Sequence, residues 1–327
     1  MAVSESNSVL KHAKKLREIW NGFRPARVLL TANNYRVFDH LTKPRSVRTI
    51  SKRLDINFRA TEIFLDALTG MGLLKKKDNR YSNSPLSSRF LVSSLPYYQG
   101  DILRHADNLY KNWSGLDEVI KTGMPYHIAH SRDAFIKGMH NLASLRAREI
   151  IRLIGLRGVK TALDLGGGPG TYSIEMAKKA VHVTLFDRPE TIEIAKKIIK
   201  SKIKNQKSNI SFIAGDFLFD KIGNGYDLIF ISQALHSISE KDNICLLRKC
   251  KNALNKGGRI IIQEAYLSED RTYPLQSALS SVNMLINTFE GRCYSHDELK
   301  GWLLKIRLKD IKERVIDDSV LISGRLP

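Results

Sequence analysis

Three aspartates follow successive apolar segments in the second half of the chain. Asp164 lies near the end of TALDL, Asp187 ends VHVTLFD and Asp216 follows ISFIAG. The carboxyl ends of parallel strands meet at one edge of a sheet, so we expect the three carboxylates to lie close together. Carboxylates there would repel a pyrophosphate and attract a ligand with an ammonium or sulfonium charge. The pattern predicts a site for a cationic nucleoside.

The turn after the first of these segments has the sequence GGGPG. Glycine has no Cβ and tolerates positive φ, so this turn lets a ligand approach the backbone. The dinucleotide fingerprint G-x-G-x-x-G is not met, because Thr171 stands where the third glycine would follow Gly166 and Gly168. A glycine-rich turn that holds no ligand is the alternative interpretation.

The other two strand ends carry groups that suit a nucleoside. Asp187 is placed to accept both ribose hydroxyls, while Asp216 would take the adenine amine and Phe217 would stack on its ring. Each residue alone is a weak signal, because acids at strand ends are common and a phenylalanine is more often part of a core. The repetition at three strand ends is the stronger pattern.

The elements that position these groups divide the chain into three parts. Residues 1–100 predict helices, then a helix-turn-helix with a turn at Asp55 to Phe58, then a hairpin around LLKKKDNRYSNS. Residues 101–150 predict connecting helices. Residues 151–327 alternate strands with helices and end in a single strand, RVIDDSVLISG. This alternation predicts an α/β fold with a mostly parallel sheet.

Composition and charge limit the function. The 327 residues are 43% hydrophobic and carry a net charge of +20, and the first hundred hold 18 Lys and Arg against 7 Asp and Glu. The three cysteines show no CxxC spacing, so neither a structural metal nor a disulfide framework is expected. The sequence shows no signal peptide and no membrane span, so we expect a cytoplasmic protein.

Seven segments together resemble one protein family. Residues 20–320 are similar to the S-adenosylmethionine-dependent O-methyltransferases, which include plant caffeate-type and bacterial polyketide-type enzymes. The resemblance implies a Rossmann-like class I methyltransferase sheet with an N-terminal, all-helical winged-helix dimerisation domain. It also implies S-adenosylmethionine as cofactor, a homodimer and a small aromatic hydroxyl compound as acceptor. The matching segments are GFRPARVLLTANNYRVFDHL, LGGGPGTYSIEMAK, FDRPETIEIAKK, GDFLFD, LHSISEKDNICLLRKCKNAL, NKGGRIIIQEAYL and MLINTFEGRCYSHDEL.

The resemblance assigns His236 as the general base and Glu264 as the carboxylate that orients it. Cys293 stands where the plant enzymes have a second carboxylate, and Glu290 lies nearby in sequence. The resemblance also places Ser232 in the cofactor site. Histidine suits the role of base because its ordinary pKa lies near neutrality. Without the resemblance, His236 would be interpreted as a surface histidine at the start of a helix.

The resemblance further implies that the connecting helices of residues 101–150 line the substrate pocket and that several residues contact the acceptor. Met139 matches a methionine that packs against the acceptor ring. Tyr110 and Trp113 lie on a predicted helix, and Asn287 and Thr288 match the region that touches acceptor hydroxyls. Plain helix packing is the alternative for the aromatic residues.

Two other functions stay open. A nucleic-acid-binding regulator would use the helix-turn-helix, but Glu62 and Asp66 on its long helix would meet phosphates, so nucleic acid is not expected as a partner. The missing second carboxylate favours a different alternative. The protein would then methylate carbon, nitrogen or sulfur, or bind the cofactor without turnover.

Overall fold

The computed structural model describes residues 2–126, 128, 132–203 and 209–327, with residues 2–6 described by their backbone alone. The chain divides into two compact units, the first ending at Asp107 and the second beginning at Asn108. Within the described residues, no helix has the length and apolar character needed to cross a membrane. The cytoplasmic location stays a prediction.

The first unit is mainly helical with one small sheet. The turn between α4 and α5 begins at Asp55, which takes a left-handed conformation with φ of 51°, and Asn57 caps α5 by accepting from the Ala60 amide. The strands pair antiparallel in the order β1–β3–β2, so the predicted hairpin is present. The elements are α1 (Ala2–Asn21), α2 (Phe23–Asn34), α3 (Val37–His40), β1 (Arg45–Ser46), α4 (Val47–Leu54), α5 (Phe58–Gly70), β2 (Leu74–Lys77), β3 (Arg80–Asn83) and α6 (Pro85–Phe90).

The apolar residues of α2, α3 and α5 form the core of this unit. Leu30, Phe38 and Leu68 are buried there by the unit's own elements. Exposed apolar side chains lie on α1, where Leu10 is 65% and Ile19 is 68% exposed. They also lie on α2 and α5, where Phe23 is 52% and Ile63 is 56% exposed.

The second unit holds the α/β sheet. Helix α7 (Gly100–Trp113) crosses the boundary between the units. The other elements are α8 (Leu116–Thr122), α9 (Arg132–Ile154), β4 (Thr161–Leu165), α10 (Thr171–Ala177), β5 (His182–Asp187), α11 (Pro189–Lys202), β6 (Ile210–Ala214), β7 (Tyr226–Ser232), a short 3₁₀ turn (Leu235–Ser237), α12 (Glu240–Ala253), β8 (Leu254–Ala265), α13 (Leu275–Asn287), α14 (His296–Lys305), β9 (Lys309–Ile316) and β10 (Ser319–Arg325).

The seven strands lie in the order β6–β5–β4–β7–β8–β10–β9. Strands β4 to β8 pair in parallel, and β10 runs antiparallel to both of its neighbours. The order reverses between β4 and β7, and open α/β sheets bind ligands at such a point, beyond the carboxyl ends of the strands. The predicted α/β class is confirmed.

The end of the sheet differs from the sequence prediction. The segment RVIDDSVLISG is not one strand, because the chain turns back at Asp317, whose φ is 50°, and forms the β9–β10 hairpin. Aspartate is among the few residues other than glycine that adopt positive φ readily. The apolar alternation on the two sides of this turn looks continuous in sequence, so it conceals the reversal.

Candidate functional site

The glycine turn begins directly after β4 and packs on the buried carboxylate of Asp164. Asp164 Oδ2 accepts from the Ser173 amide at 3.1 Å and from the Ser173 hydroxyl at 2.6 Å. Its Oδ1 is buried and has no hydrogen-bond partner among the described residues. A Cβ on Gly167 would lie 2.7 Å from the Asp164 carboxyl carbon, so only glycine allows the turn to cover this acid so closely. Burial and, to a lesser extent, the nearby Asp187 raise the pKa of Asp164 to about 6, although the two hydrogen bonds from Ser173 lower it in part.

Asp187, at the end of β5, is connected to the same turn. Its Oδ2 accepts from the Gly168 amide at 2.8 Å, and its Oδ1 accepts from the Arg188 amide at 2.7 Å. Burial raises the pKa of this carboxyl, while the backbone amides lower it in part. Each carboxylate oxygen has a second lone-pair direction, so Asp187 keeps acceptor capacity for a ligand.

The loop after β6 lies beside the turn. A Cβ on Gly166 would lie 3.7 Å from the ring of Phe217 and 3.2 Å from Ala234, so residues from two strand ends approach the first glycine. Asp216 Oδ1 accepts from the Leu218 amide at 2.9 Å. Phe217 is half-buried and packs against the core of the unit, as a phenylalanine most often does. It also lies next to the glycine turn.

Ser232, the last residue of β7, belongs to a polar group that the sequence did not reveal. Its hydroxyl donates to Gln263 Oε1 at 3.1 Å, and the Tyr172 hydroxyl lies near both side chains. Burial raises the pKa of Tyr172, so the phenol stays neutral. Ser232 therefore lies at the predicted strand end, with its side chain engaged by its neighbours.

His236 lies in the 3₁₀ turn after β7 and contacts Glu264 at the end of β8. The distance from His236 Nδ1 to Glu264 Oε2 is 2.7 Å, and the imidazole is 20% exposed. Glu264 Oε1 accepts from the amides of Ala234 and Leu235 at 3.0 and 2.9 Å. One carboxylate therefore holds both the imidazole and the backbone of the turn that carries it.

This contact sets the protonation of His236. Burial lowers the pKa of the imidazole, but the charge of Glu264 and the hydrogen bond to it outweigh burial and raise the pKa above its ordinary value. An ionised carboxylate only accepts hydrogen bonds, so in the neutral imidazole the proton lies on Nδ1 and Nε2 keeps its lone pair. This geometry leaves the lone pair of Nε2 available to accept a proton.

Cys293 does not supply a second charge. Burial raises the pKa of its thiol, Ser281 lowers it in part, and nearby Glu264 raises it, so the thiol is neutral near pH 7. The adjoining backbone packs tightly on the histidine turn, because a Cβ on Gly291 would lie 2.5 Å from the carbonyl oxygen of His236. Glu290 is exposed. Cys293 therefore offers a neutral thiol at this position, and Glu290 offers a carboxylate that faces solvent.

The predicted acceptor residues divide into two groups. Asn287 and Thr288 are engaged at the end of α13, where Thr288 donates to the Met284 carbonyl and Asn287 accepts from Asn112 at 2.8 Å. Tyr110 is exposed on α7, and Met139 is half-buried on α9. The two groups lie on different elements, the first at the end of α13 and the second on α7 and α9.

Trp113 leads to a residue that the sequence analysis missed. Its indole Nε1 donates to Asn283 Oδ1 at 3.1 Å, and Asn287 Nδ2 donates to the same oxygen at 3.1 Å. Since the indole nitrogen only donates, the amide oxygen of Asn283 must face it and Nδ2 must point away. No periodicity could reveal this contact, because 170 residues separate the two partners.

Comparisons with known proteins agree with this architecture. Residues 98–305 match the family model described as O-methyltransferase domain, and residues 17–93 match the O-methyltransferase dimerisation domain. The 3-hydroxy-5-methyl-1-naphthoate 3-O-methyltransferase of Streptomyces sahachiroi is 31% identical over 77% of this chain and 76% of its own length. The acetylserotonin O-methyltransferase of Gallus gallus is 29% identical over 91% of this chain and 93% of its own.

Solved structures show the same fold. Human N-acetylserotonin methyltransferase in complex with SAM superposes with a TM-score of 0.87 at 25% identity, covering 96% of this chain and 97% of that one. An O-methyltransferase family protein from Burkholderia thailandensis superposes with a TM-score of 0.86 at 23% identity, covering 96% and 98%. The fold is that of a class I methyltransferase.

The family matches span both units of the chain. This chain belongs to the O-methyltransferase family, and it is an S-adenosylmethionine-dependent O-methyltransferase. The predicted family, enzyme class and cofactor are confirmed. The roles of individual site residues remain proposals.

Proposed function

We propose that the chain methylates the hydroxyl group of a small aromatic compound, with His236 as the general base. The observation that carries the proposal is the 2.7 Å hydrogen bond from His236 to the buried Glu264, at the sheet edge that also holds the glycine turn. An aromatic acceptor is supported by the naphthoate and acetylserotonin named for two relatives.

The residues at this edge fit a cationic nucleoside cofactor. Asp164 and Asp187 are two neighbouring carboxyls whose pKa values burial raises, and Asp164 Oδ1 is buried without a partner among the described residues. A positive ligand stabilises such a pair in its ionised form. S-adenosylmethionine, when bound, supplies a positive sulfonium whose methyl group the acceptor oxygen takes up.

Each strand end has a distinct part in holding this cofactor. Gly166 and Gly168 let it approach the backbone, and Asp187 accepts from the ribose hydroxyls. Asp216 accepts from the adenine amine beside the ring of Phe217, and Ser232 completes the edge at the end of β7. Asp164 acts through its charge from beneath the turn, because it is almost fully buried.

Replacing Asp187 by alanine is expected to weaken binding of S-adenosylhomocysteine about tenfold to a hundredfold, because charge-assisted hydrogen bonds to the ribose are lost. Calorimetry measures the affinity, and Glu193→Ala on the exposed side of α11 is the matched control. A thermal melt separates loss of binding from loss of the Gly168 contact. Unchanged affinity in Asp187→Ala would remove this residue from the cofactor site.

His236 performs the proton transfer. The Nε2 lone pair accepts the proton of the acceptor hydroxyl, and Glu264 stabilises the imidazolium that results. The main further requirement of the reaction is that the acceptor oxygen is held about 3 Å from the methyl carbon. Residues of the acceptor site satisfy that requirement.

The acceptor lies against α7, α9 and α13. Met139, Tyr110 and Trp113 give it apolar and aromatic contacts, while Asn287 and Thr288 maintain the end of α13 and Cys293 adds a neutral, buried thiol near Glu264. The N–H groups of Asn283 can donate to an oxygen of the acceptor. The acceptor is therefore a small aromatic hydroxyl compound.

The chain assembles as a homodimer through its first unit. The first unit matches a dimerisation domain, and α1 exposes an apolar face whose largest side chain, Trp20, is 55% exposed. Exposed apolar surface of this extent is typical of a protein interface. A second copy of the chain is the occupant that the family match supports.

Light scattering at micromolar concentration is expected to give a particle of twice the 37.1 kDa chain mass. The double variant Ile19→Glu and Trp20→Glu is expected to shift it to the monomer, because two buried charges destabilise an apolar interface. Lys11→Glu, on the same helix, serves as the charge control. A 37.1 kDa species for the unmodified protein would refute the dimer.

A further inference from the structure

Lys249 lies on α12, and its side chain reaches the loop after β6. Its Nζ is 2.9 Å from the Phe217 carbonyl oxygen, 2.8 Å from that of Leu218 and 3.0 Å from that of Asp220. An ammonium group has three N–H donors, so each donor meets one carbonyl. All three N–H donors of Lys249 therefore bind this one loop.

The loop also has anchors of its own, among them an ion pair of 3.7 Å between Asp216 and Arg188. Two aspartates hold it from within, because Asp220 accepts from the Asp216 amide at 2.8 Å and Asp216 accepts from the Leu218 amide at 2.9 Å. Phe219 at its tip is 84% exposed. Phe217 and Leu218 also pack on the core of the unit. The carbonyl oxygens that Lys249 contacts take their hydrogen bonds from its ammonium, whose charge makes these bonds stronger than neutral ones.

The loop matters because of what it presents to the glycine turn. The Phe217 ring lies close to Gly166, and Asp216 precedes it. Helix α12 begins just after the turn that carries His236. Lys249 thus ties the loop to the helix that follows the proposed base.

We infer that Lys249 is a positioning residue for the cofactor, which holds the loop so that Asp216 and Phe217 meet the adenine ring. The inference rests on the proposed function of this loop. Lys249 does not contact the reacting atoms, so its removal affects cofactor binding and leaves the proton transfer at His236 intact. A pre-ordered loop spares the ligand the entropic cost of ordering it.

The variant Lys249→Met tests this role. We expect the dissociation constant of S-adenosylhomocysteine and the KM for S-adenosylmethionine to rise about tenfold, since three hydrogen bonds that order the loop are lost. The kcat at saturating cofactor stays within about twofold, and the midpoint of the pH profile stays unchanged. Lys249→Arg recovers part of the affinity, because a planar guanidinium keeps the charge but cannot aim at all three carbonyls.

The matched control is Lys241→Met, an exposed lysine on the same helix. If Lys249→Met lowered the melting temperature but left both cofactor constants unchanged, the residue would be structural only and the inference would be wrong. If Lys249→Met did not fold, the test would instead use Lys249→Arg. Hydrogen exchange of its residues 215–221 would then be measured with and without S-adenosylhomocysteine. Equal exchange and affinity in Lys249→Arg and the wild type would also overturn the inference. Failure of the wild type to bind S-adenosylhomocysteine would instead refute the proposed cofactor site.

Discussion

Replacing His236 by alanine is expected to lower kcat for methyl transfer roughly a hundredfold to ten-thousandfold while leaving cofactor affinity nearly intact. The effects separate because the proposed cofactor groups lie mainly at the ends of β4, β5 and β6, whereas His236 lies in the turn after β7 and Glu264 at the end of β8. Single-turnover transfer of a labelled methyl group to a panel of hydroxylated aromatic compounds measures the rate, and calorimetry measures the affinity.

The matched control is His182→Ala, which alters an exposed histidine at the start of β5, at the opposite edge of the sheet. This variant should retain both rate and affinity. Undiminished turnover in His236→Ala would refute the base and leave proximity as the source of catalysis. A loss of cofactor affinity equal to the loss of rate would instead indicate that His236 belongs to the cofactor site.

The second large effect is expected from Glu264→Gln, a change that preserves shape. The amide oxygen of the new side chain must stay on the Ala234 and Leu235 amides, so its NH₂ group faces His236 Nδ1. The imidazole proton then moves to Nε2, which can no longer accept one. We expect kcat to fall roughly a hundredfold to ten-thousandfold, as a base held in the wrong tautomer does elsewhere.

The activity that remains in Glu264→Gln should also show a shifted pH dependence. Loss of the Glu264 charge removes the interaction that raises the pKa of His236, so the pH midpoint of any remaining base catalysis moves downward. Glu290→Gln removes an exposed carboxylate that lies near Cys293 in sequence, and it should change neither kcat nor the pH midpoint. Equal losses in both variants would mean that overall charge, and not orientation of the imidazole, controls the rate.

Much of the fold follows from local sequence patterns. The alternation of apolar segments with helical ones predicts the parallel sheet, because buried strands and amphipathic helices have different periods. The three strand-end aspartates and the glycine turn were identifiable because a parallel sheet brings its carboxyl ends to one edge. The β9–β10 hairpin was missed, since the left-handed Asp317 leaves no strong mark in sequence.

The parts of the site that escaped prediction depend on contacts between distant segments. The Lys249 ammonium and the loop it binds are about thirty residues apart in the chain. The indole of Trp113 and the amide of Asn283 are 170 residues apart. Tertiary packing decides such contacts, and one sequence does not encode them at any fixed spacing.

The pH dependence of single-turnover methyl transfer at saturating cofactor tests the role of His236 most directly. The neutral imidazole is the active form, so the rate is expected to rise with pH through one ionisation whose midpoint lies above the ordinary histidine value, because Glu264 raises the pKa of His236. With His236→Ala this ionisation should disappear from the profile. A wild-type rate that does not change with pH across this range, or a profile identical in His236→Ala, would contradict the account.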